Sequence, residues 1–340
     1  MSEAVEDFGS DETRELVANF QKATADIREQ IGGTIVGQDE VVDSLLIALF
    51  VGGHCLITGM PGTAKTLLVH TLASALGLNF KRIQFTPDLM PTDITGTDMV
   101  EEDQSTGKRE WRFIEGPIFT NVLLADEINR TPPKTQAALL EAMQEKTVTV
   151  RGKNHILDKP FIVLATQNPI ELEGTYPLPE AQLDRFLFNV ILDYLDSEQE
   201  IAVINRFTKS VEMPPVKACT TAEEIIKFQS LVREVPISDS LSRYAVDIVR
   251  ATRPSDALAT DMIKKYANFG ASIRATMNLV LAAKTRALMQ GRYHVQADDL
   301  KALAIPIMRH RVLPNYYAES DGITIDDILA DLLTHIPVNE

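Results

Sequence analysis

A glycine-rich loop is the first part of this sequence that could do chemistry. Residues 59–66 read Gly-Met-Pro-Gly-Thr-Ala-Lys-Thr, and they lie between an apolar run at 55–58 and a helix predicted to begin at Lys65. In such a loop, successive backbone N–H groups and the helix dipole attract a β-phosphate. Lys65 would supply a cation for the β- and γ-phosphates, and Thr66 a hydroxyl for Mg²⁺. The predicted phosphate-binding residues are Gly59, Pro61, Gly62, Thr63, Ala64, Lys65, Thr66 and Leu67.

One position departs from the phosphate-loop pattern. Ala64 stands where G-x-x-x-x-G-K-[ST] has its second glycine. We expect the methyl group to be tolerated if residue 64 keeps a helical φ, with Gly62 supplying the flexibility. The alternative interpretation is an ordinary glycine turn that caps a helix.

Two acidic residues follow the apolar run 122–125, sixty-one positions after Lys65. In a parallel sheet, carboxylates at the carboxyl end of a buried strand face the ligand crevice. Asp126 is therefore expected to hold Mg²⁺ through water, and Glu127 to orient and deprotonate an attacking water. An apolar strand that ends in acids is common, so this prediction depends on the phosphate loop upstream.

Composition limits the classes of protein that remain. The 340 residues carry 33 basic and 48 acidic side chains, a formal charge of −15, which disfavours nucleic acid or anionic lipid as the main partner. Cys55 and Cys219 are too few for a disulfide framework or a thiolate metal site. The N-terminus is acidic, and no apolar run reaches the roughly 18 residues of a membrane span. We expect a cytoplasmic protein.

Alternating strands and helices in the first two thirds predict an α/β fold with a parallel sheet. We expect an acidic tail and helix over residues 1–33, a core over 34–210 and a helical domain over 211–340, after a linker at Met213-Pro214-Pro215. Two hairpins are predicted inside the core, at 97–100 with 110–114 and at 147–151 with 155–158. The predicted strands cover 55–58, 80–85, 122–125 and 161–165; the predicted helices cover 11–30, 38–50, 65–76, 134–144, 222–233, 239–253, 272–290 and 297–308.

With these motifs in place, the chain resembles AAA+ ATPases, and more closely the MoxR family, which is related to magnesium-chelatase ATPase subunits. One departure is Ile273, where a proline is expected before the lid arginine. The strings that carry the resemblance are IVGQ at 35–38, the phosphate loop with its alanine, DEINR at 126–130, PPKTQ at 132–136, ATQNP at 165–169, PEAQLDRF at 179–186, GASIRA at 270–275 and RHR at 309–311.

The resemblance implies a P-loop AAA+ core with inserted β-hairpins, followed by a smaller all-helical lid. It implies that Asn168 is a sensor of the γ-phosphate or lytic water. Arg274 would be a second sensor, which reaches the phosphates if the lid folds over the core. Arg185 would be an arginine finger acting on a neighbour's ATP, which requires a homo-oligomer, expected to be a hexameric ring. The adenine pocket would include Val36, Gly37 and Gln38.

Each of these roles has a simpler alternative. Asn168-Pro169 is also ordinary turn chemistry at a strand end, and Arg274 could be a solvated helix residue. Asp184-Arg185 could be a surface ion pair of little value to stability. Helix capping around Gly37 is the alternative to an adenine contact. The hairpins, with Trp111 and Phe113, would face a pore or partner, or would merely pack against the sheet edge.

The function that this resemblance implies is ATP hydrolysis, with ATP and Mg²⁺ as cofactors, coupled to chaperone-like remodelling or maturation. The partner would be a protein client, often one with a von Willebrand factor A domain. The maturation work of such proteins sometimes includes metal insertion. A nucleic-acid motor is the second hypothesis, since Lys108, Arg109, Arg151 and Lys153 lie near the hairpin tips. A nucleotide-gated scaffold with little turnover is the third.

Overall fold

The computed structural model describes residues 11–60, 62–102, 109–169, 174–208 and 215–338. Pro61 of the phosphate loop, Lys108 of the first hairpin and Met213-Pro214 of the linker therefore lie outside the described residues. The strands are β1 (Cys55–Gly59), β2 (Phe80–Gln84), β3 (Gly96–Glu102), β4 (Arg109–Glu115), β5 (Val122–Asp126), β6 (Thr147–Val150), β7 (Lys153–Ile156), β8 (Ile162–Gln167), β9 (Phe188–Leu192), β10 (Ala267–Phe269) and β11 (Leu313–Pro314).

The helices occupy most of the positions that the sequence predicts, with ends that differ by one or two residues. The helices over residues 91–95, 180–183, 197–207, 261–266, 316–321 and 325–335 were not predicted. The helices are α1 (Asp11–Gly32), α2 (Asp39–Val51), α3 (Lys65–Ala75), α4 (Pro91–Thr95), α5 (Pro133–Glu145), α6 (Glu180–Leu183), α7 (Ser197–Phe207), α8 (Ala222–Glu234), α9 (Asp239–Ala251), α10 (Asp261–Tyr266), α11 (Ile273–Met289), α12 (Ala297–Met308), α13 (Tyr316–Asp321) and α14 (Ile325–His335).

The centre of the molecule is a five-stranded parallel sheet in the order β2-β5-β8-β1-β9. Strand β5 is buried at all five positions, as its continuous apolar sequence predicts for a strand covered on both faces. The edge strand β9 was missed, because polar Asn189 interrupts its short apolar run. The parallel α/β sheet predicted from the sequence is confirmed.

Alternate residues of the strands belong to two separate hydrophobic clusters on the two faces of the sheet. Leu123 and Ala125 pack on the face covered by α5. Val122 and Leu124 pack on the opposite face, in a cluster that continues through α1, α2 and α3 into the helices of the lid. The lid is therefore joined to the sheet by a continuous apolar core.

Both predicted hairpins are present, β3 with β4 and β6 with β7, and each forms a separate antiparallel pair. They contact each other through aromatic side chains. The Arg151 guanidinium lies 3.8 Å from the ring centroid of Trp111, and the ring of Phe113 stacks on His155 at 3.9 Å. Packing thus accounts for Phe113, whereas Trp111 remains 59% exposed.

Three aromatic rings join helices α1, α2 and α8. Phe20 of α1 lies 4.8 Å from Phe50 of α2 and 5.3 Å from Phe228 of α8, in edge-to-face arrangements. Such pairs contribute beyond the area that they bury. Helix α1 is amphipathic, and its buried residues belong to the same hydrophobic cluster as those of α2 and α8.

We expect Phe20→Ala to lower the free energy of unfolding by about 3–5 kcal/mol, because the fully buried ring leaves a cavity between three helices. Chemical denaturation followed by circular dichroism measures the change. The matched control is Phe269→Ala, whose ring is 68% exposed and whose loss should cost less than about 0.5 kcal/mol. Equal effects of the two substitutions would contradict the packing described here.

Candidate nucleotide-binding site

The phosphate loop leaves β1 at Gly59 and enters α3 at Lys65, in the strand–loop–helix context that the sequence predicts. The Lys65 Nζ donates to the carbonyl oxygens of Gly59 (2.7 Å) and Met60 (2.8 Å). The Thr63 hydroxyl also donates to the Met60 carbonyl, at 2.8 Å. Gly59 is required sterically, because a Cβ there would lie 2.7 Å from the backbone oxygen of Leu192.

The backbone at Ala64 differs from the expectation. Residue 64 has φ 58° and ψ 25°, the left-handed region, and not the helical φ on which tolerance of the methyl group was predicted to depend. This conformation costs an L-residue about 1–2 kcal/mol. Gly62 is also left-handed, with φ 85°. Among the described residues of the loop, two positions are therefore left-handed, and only one of them carries a glycine.

Two effects change the pKa of the Lys65 ammonium in opposite directions. Partial burial lowers its pKa, while the nearby carboxylates of Asp126 and Glu127 act in the other direction. Its hydrogen-bond partners in the loop are neutral carbonyls, and no carboxylate of the described residues forms an ion pair with it. The charge of Lys65 is thus available to an anionic ligand.

Asp126 ends β5 and is held by two neighbouring strands. Its Oδ1 accepts a 2.6 Å hydrogen bond from the Thr166 hydroxyl of β8. Its Oδ2 accepts from Arg82 of β2, at 2.6 Å from Nη2 and 3.1 Å from Nε. Hard oxygen ligands such as this carboxylate and the Thr66 hydroxyl suit Mg²⁺, so the donor set fits the predicted metal.

Glu127 has φ 58°, a left-handed conformation for a non-glycine residue. Its backbone N–H donates to the Thr166 hydroxyl at 2.8 Å, so the same hydroxyl contacts both acids. Its Oε2 accepts from Gln84 Nε2 at 2.7 Å and lies 3.1 Å from Arg130 Nη1. Residues in sparsely populated backbone regions persist where their surroundings hold them, often at functional sites.

The site consists of two cavities that share the phosphate loop. The polar one, of about 440 Å³, is lined by Lys65, Thr66, Asp126 and Glu127 together with Asn168. Asn168 is buried, and its role as a sensor stays a prediction. The second cavity, of about 330 Å³, is mainly apolar, and the shared wall consists of Gly62, Thr63, Ala64 and Leu67. Cavities of this size hold small-molecule ligands.

The apolar cavity combines predicted and unpredicted residues. Val36 and Gln38 line it as expected, while Gly37 between them packs against α7, where a Cβ would lie 2.4 Å from the Gln199 side chain. The opposite wall was missed and includes Tyr194, Ile204 and Phe207. A capping box from Asp196 to Gln199 and apolar residues at helical spacing over 201–207 were the signals for α7.

Arg82, Gln84 and Thr166 were also missed as site residues. Arg82 and Gln84 alternate along β2, and register pairs Gln84 with Asp126 on β5. The period-2 pattern of polar residues was a signal, but its meaning depends on which strand lies beside β5. That neighbour is known only from the fold.

Arg185 and Arg274 lie away from these two cavities. They line a third cavity, of about 250 Å³, together with residues 52–54 before β1 and Leu187 before β9. This is the amino edge of the sheet, whereas the phosphate cavity is at the carboxyl edge. A five-residue strand such as β1 spans about 16 Å at about 3.3 Å per residue, so the sheet separates both arginines from Lys65 of the same chain.

Asp184 has different partners from those of a simple surface pair with Arg185. Its Oδ2 accepts from Arg274 Nη1 and its Oδ1 from Arg311 Nε, both at 2.7 Å, and Arg185 Nη1 donates to the Leu140 carbonyl at 2.8 Å. Burial lowers the pKa of the Arg311 guanidinium, and Asp184 opposes that change. The surface-pair alternative is therefore wrong, because Asp184 bridges core and lid.

Comparison with known proteins assigns the class of the fold and site. The profile of the ATPase family associated with various cellular activities (AAA) matches residues 54–188, and the AAA lid domain profile matches residues 260–332. A solved structure from Cytophaga hutchinsonii, described as a candidate ATPase, superimposes with a TM-score of 0.89 at 41% identity, covering 97% of this chain and 98% of that one. The chain has an AAA core and an AAA lid.

Named relatives assign the family. The chain is 42% identical over 299 residues to chaperone MoxR1 of Mycobacterium tuberculosis, covering 88% of this chain and 78% of that protein. It is 28% identical over 342 residues to protein MoxR of Methylorubrum extorquens, covering 95% and 97%. The chain belongs to the MoxR family of AAA+ ATPases, as the sequence motifs predict.

Two further findings concern ligands and membranes. No helix in the described ranges has both the length and the apolar character needed to cross a bilayer. Among the same residues, no group of three or more His, Cys, Asp and Glu side chains is placed to hold a metal ion by itself. A Mg²⁺ ion at Thr66 and Asp126 would therefore depend on phosphate oxygens and water for its other ligands.

We expect Thr166→Val to lower the free energy of unfolding by about 1–3 kcal/mol, because it leaves Asp126 Oδ1 and the Glu127 N–H without their shared partner. It should also slow ATP turnover with little change in nucleotide affinity, since Lys65 and the loop are untouched. Denaturation curves, calorimetry and phosphate release measure the three effects. Thr149→Val, on the exposed hairpin, is the matched control and should change none of them.

Proposed function

We propose that this protein is an ATP-hydrolysing molecular machine of the MoxR type that remodels or matures a protein client. The observation that carries the proposal is the convergence of Lys65, Asp126, Glu127 and Asn168 on one polar cavity beside an apolar one. A triphosphate fits the polar cavity and an adenine the apolar one. Membership of an ATPase family supports the reaction.

In the proposed mechanism, the backbone N–H groups of the loop and the N-terminus of α3 bind the phosphates. Lys65 exchanges its carbonyl partners for β- and γ-phosphate oxygens. Thr66 and Asp126 would hold Mg²⁺, which when bound offsets the negative charge on the phosphates. Asp126 would act on the ion through water, and its carboxylate would keep its hydrogen bonds to Thr166 and Arg82.

Glu127 is the proposed general base. Water attacks the γ-phosphorus, its proton passes to the Glu127 carboxylate, and the bond from phosphorus to the bridging oxygen breaks to give ADP and phosphate. Gln84 and Arg130 hold one carboxylate oxygen of Glu127, while Thr166 holds its backbone. These contacts fix the orientation of the base before the water binds.

Arg185 and Arg274 complete the site from a neighbouring subunit in this proposal. Both line the cavity at the amino edge of the sheet, while their own phosphate loop follows the other end of β1, a strand about 16 Å long, and Asp184 keeps Arg274 beside the core. Closure of the lid over its own ATP would require this contact and the shared apolar core to break. A ring of subunits, proposed to be a hexamer, places each cavity against the next nucleotide.

The chaperone role rests on a relative's name, chaperone MoxR1, at 42% identity. A von Willebrand factor A domain protein is the partner that the family resemblance suggests, in the cytoplasm. The nucleic-acid alternative is weakened by the charge of −15. One basic residue near the hairpin tips, Arg151, is also engaged with Trp111 and lies 4.0 Å from Asp98.

The base assignment makes a direct prediction. Glu127→Gln keeps the size and much of the hydrogen bonding but cannot accept a proton, so we expect ATP binding with turnover reduced at least about 100-fold. Phosphate release and calorimetry measure the two quantities. Lys65→Ala is the complementary variant, which should lose ATP affinity instead. Near-normal turnover of Glu127→Gln would mean that another group is the base.

The shared-site arrangement is tested by mixing variants. Arg185→Ala should bind nucleotide but lose about 10³–10⁵ in rate, as expected for an arginine finger. Mixed with Glu127→Gln it should regain activity, because its own Glu127 is intact and the neighbour supplies Arg185. If no mixing ratio gives activity, with co-assembly established by sedimentation, the two residues do not serve one shared site.

A further inference from the structure

The cavity at the amino edge of the sheet contains more positive charge than the two predicted arginines. Arg185 and Arg274 share its walls with Lys146, which caps the C-terminus of α5, and with Arg233 in the last turn of α8. Lys146 and Arg185 fall within residues 34–210 and Arg233 and Arg274 within residues 211–340, and all four line the same space of about 250 Å³.

This positive charge is mostly uncompensated. None of the residues that line the cavity is a carboxylate, and among the described residues no Asp or Glu lies within ion-pair distance of Lys146, Arg185 or Arg233. Asp184 pairs with Arg274 but also with buried Arg311. The phosphate cavity differs, since Asp126 and Glu127 accompany Lys65 there.

The cations also act on one another. Burial lowers the pKa of Lys146, and the charges of Lys159 and Arg233 lower it further. Burial and Arg233 likewise lower the pKa of Lys284, whose Nζ donates to the Arg233 carbonyl. His54 in the cavity wall adds no charge at neutral pH, because burial lowers its pKa to about 4.

Like charges that share one space repel one another, although Lys146, Arg233 and Arg274 are exposed, so that solvent screens part of the repulsion. The chain as a whole carries −15, so an excess of basic residues does not explain the cluster. Its position does suggest a ligand. Arg185 and Arg274 are the residues proposed above to contact ATP bound by the next subunit.

We propose that Lys146 and Arg233 bind the triphosphate of the ATP held by the neighbouring copy of this chain, alongside Arg185 and Arg274. This inference rests on the proposed function and extends the shared site from two basic residues to four. Because Lys146 belongs to the core and Arg233 to the lid, the phosphates would be held by both domains of the adjacent subunit at once.

The test uses the full chain with Glu127→Gln, so that ATP persists. Lys146→Met and Arg233→Gln are introduced separately, with Lys134→Met, exposed at the other end of α5, and Arg243→Gln, exposed on α9, as matched controls. Sedimentation gives the assembly constant in ATP and in ADP, and a fluorescent ATP analogue gives the affinity of each chain's own loop. Circular dichroism checks folding.

We expect each cavity variant to weaken assembly in ATP by roughly tenfold or more, as loss of a charged hydrogen bond predicts. The affinity of the chain's own loop should be unchanged, the effect should be smaller in ADP, and Lys146→Arg should restore assembly. The two control variants should assemble like the parent protein.

Two results would overturn the inference. One is assembly of Lys146→Met and Arg233→Gln equal to that of the controls while Arg185→Ala remains defective, which would leave the proposed function intact. The other is that the cavity variants weaken assembly equally in ATP and in ADP, or that they weaken retention of DNA and leave assembly unchanged. Either outcome would assign the cavity to another anion. Failure of the unsubstituted protein, with Glu127 intact, to hydrolyse ATP would instead reject the proposed function itself.

Discussion

The Asp184 carboxylate is the interaction on which the placement of the lid depends. One of its oxygens accepts from Arg311, whose side chain is 1% exposed, and the other accepts from Arg274. Arg311 also donates to the carbonyl of Leu187, so it ties the end of α12 to the start of β9. Removing one partner of such a buried pair costs about 3–5 kcal/mol. The lid is thereby fixed at the amino edge of the sheet, beside Arg185.

The bridge through Asp184 determines how the predicted site residues are divided between the two edges of the sheet. The parallel sheet collects Lys65, Asp126, Glu127 and Asn168 at its carboxyl edge, where ligands bind in folds of this kind. The same strands carry Arg185 to the opposite edge, and Asp184 holds Arg274 there. A single chain therefore has a nucleotide pocket on one side and a basic cavity on the other. In the proposed ring, repetition of the chain would bring the two sides together.

The elements that flank each motif within a continuous stretch of sequence could be predicted. The phosphate loop and Asp126-Glu127 follow apolar runs, so their order and flanking strands sufficed. The contacts that orient the two acidic residues could not be predicted. Gln84 and Thr166 contact Glu127 only because the strand order is β2-β5-β8. The role of Asp184 likewise depends on Arg311, 127 positions away. Ala64 shows a limit of local rules, because the loop adopts a left-handed φ there without a glycine.

The central claim is that the sheet separates each nucleotide from the arginines of its own chain, so that a neighbour must supply them. The most direct test is an experimental structure of the Glu127→Gln protein assembled with ATP. The account predicts that the guanidinium groups of Arg185 and Arg274 lie within about 3 Å of phosphate oxygens bound by the adjacent subunit, with the Asp184 bridge to Arg311 retained. Contact of Arg274 with the ATP of its own chain, or a nucleotide that no neighbouring residue touches, would contradict it.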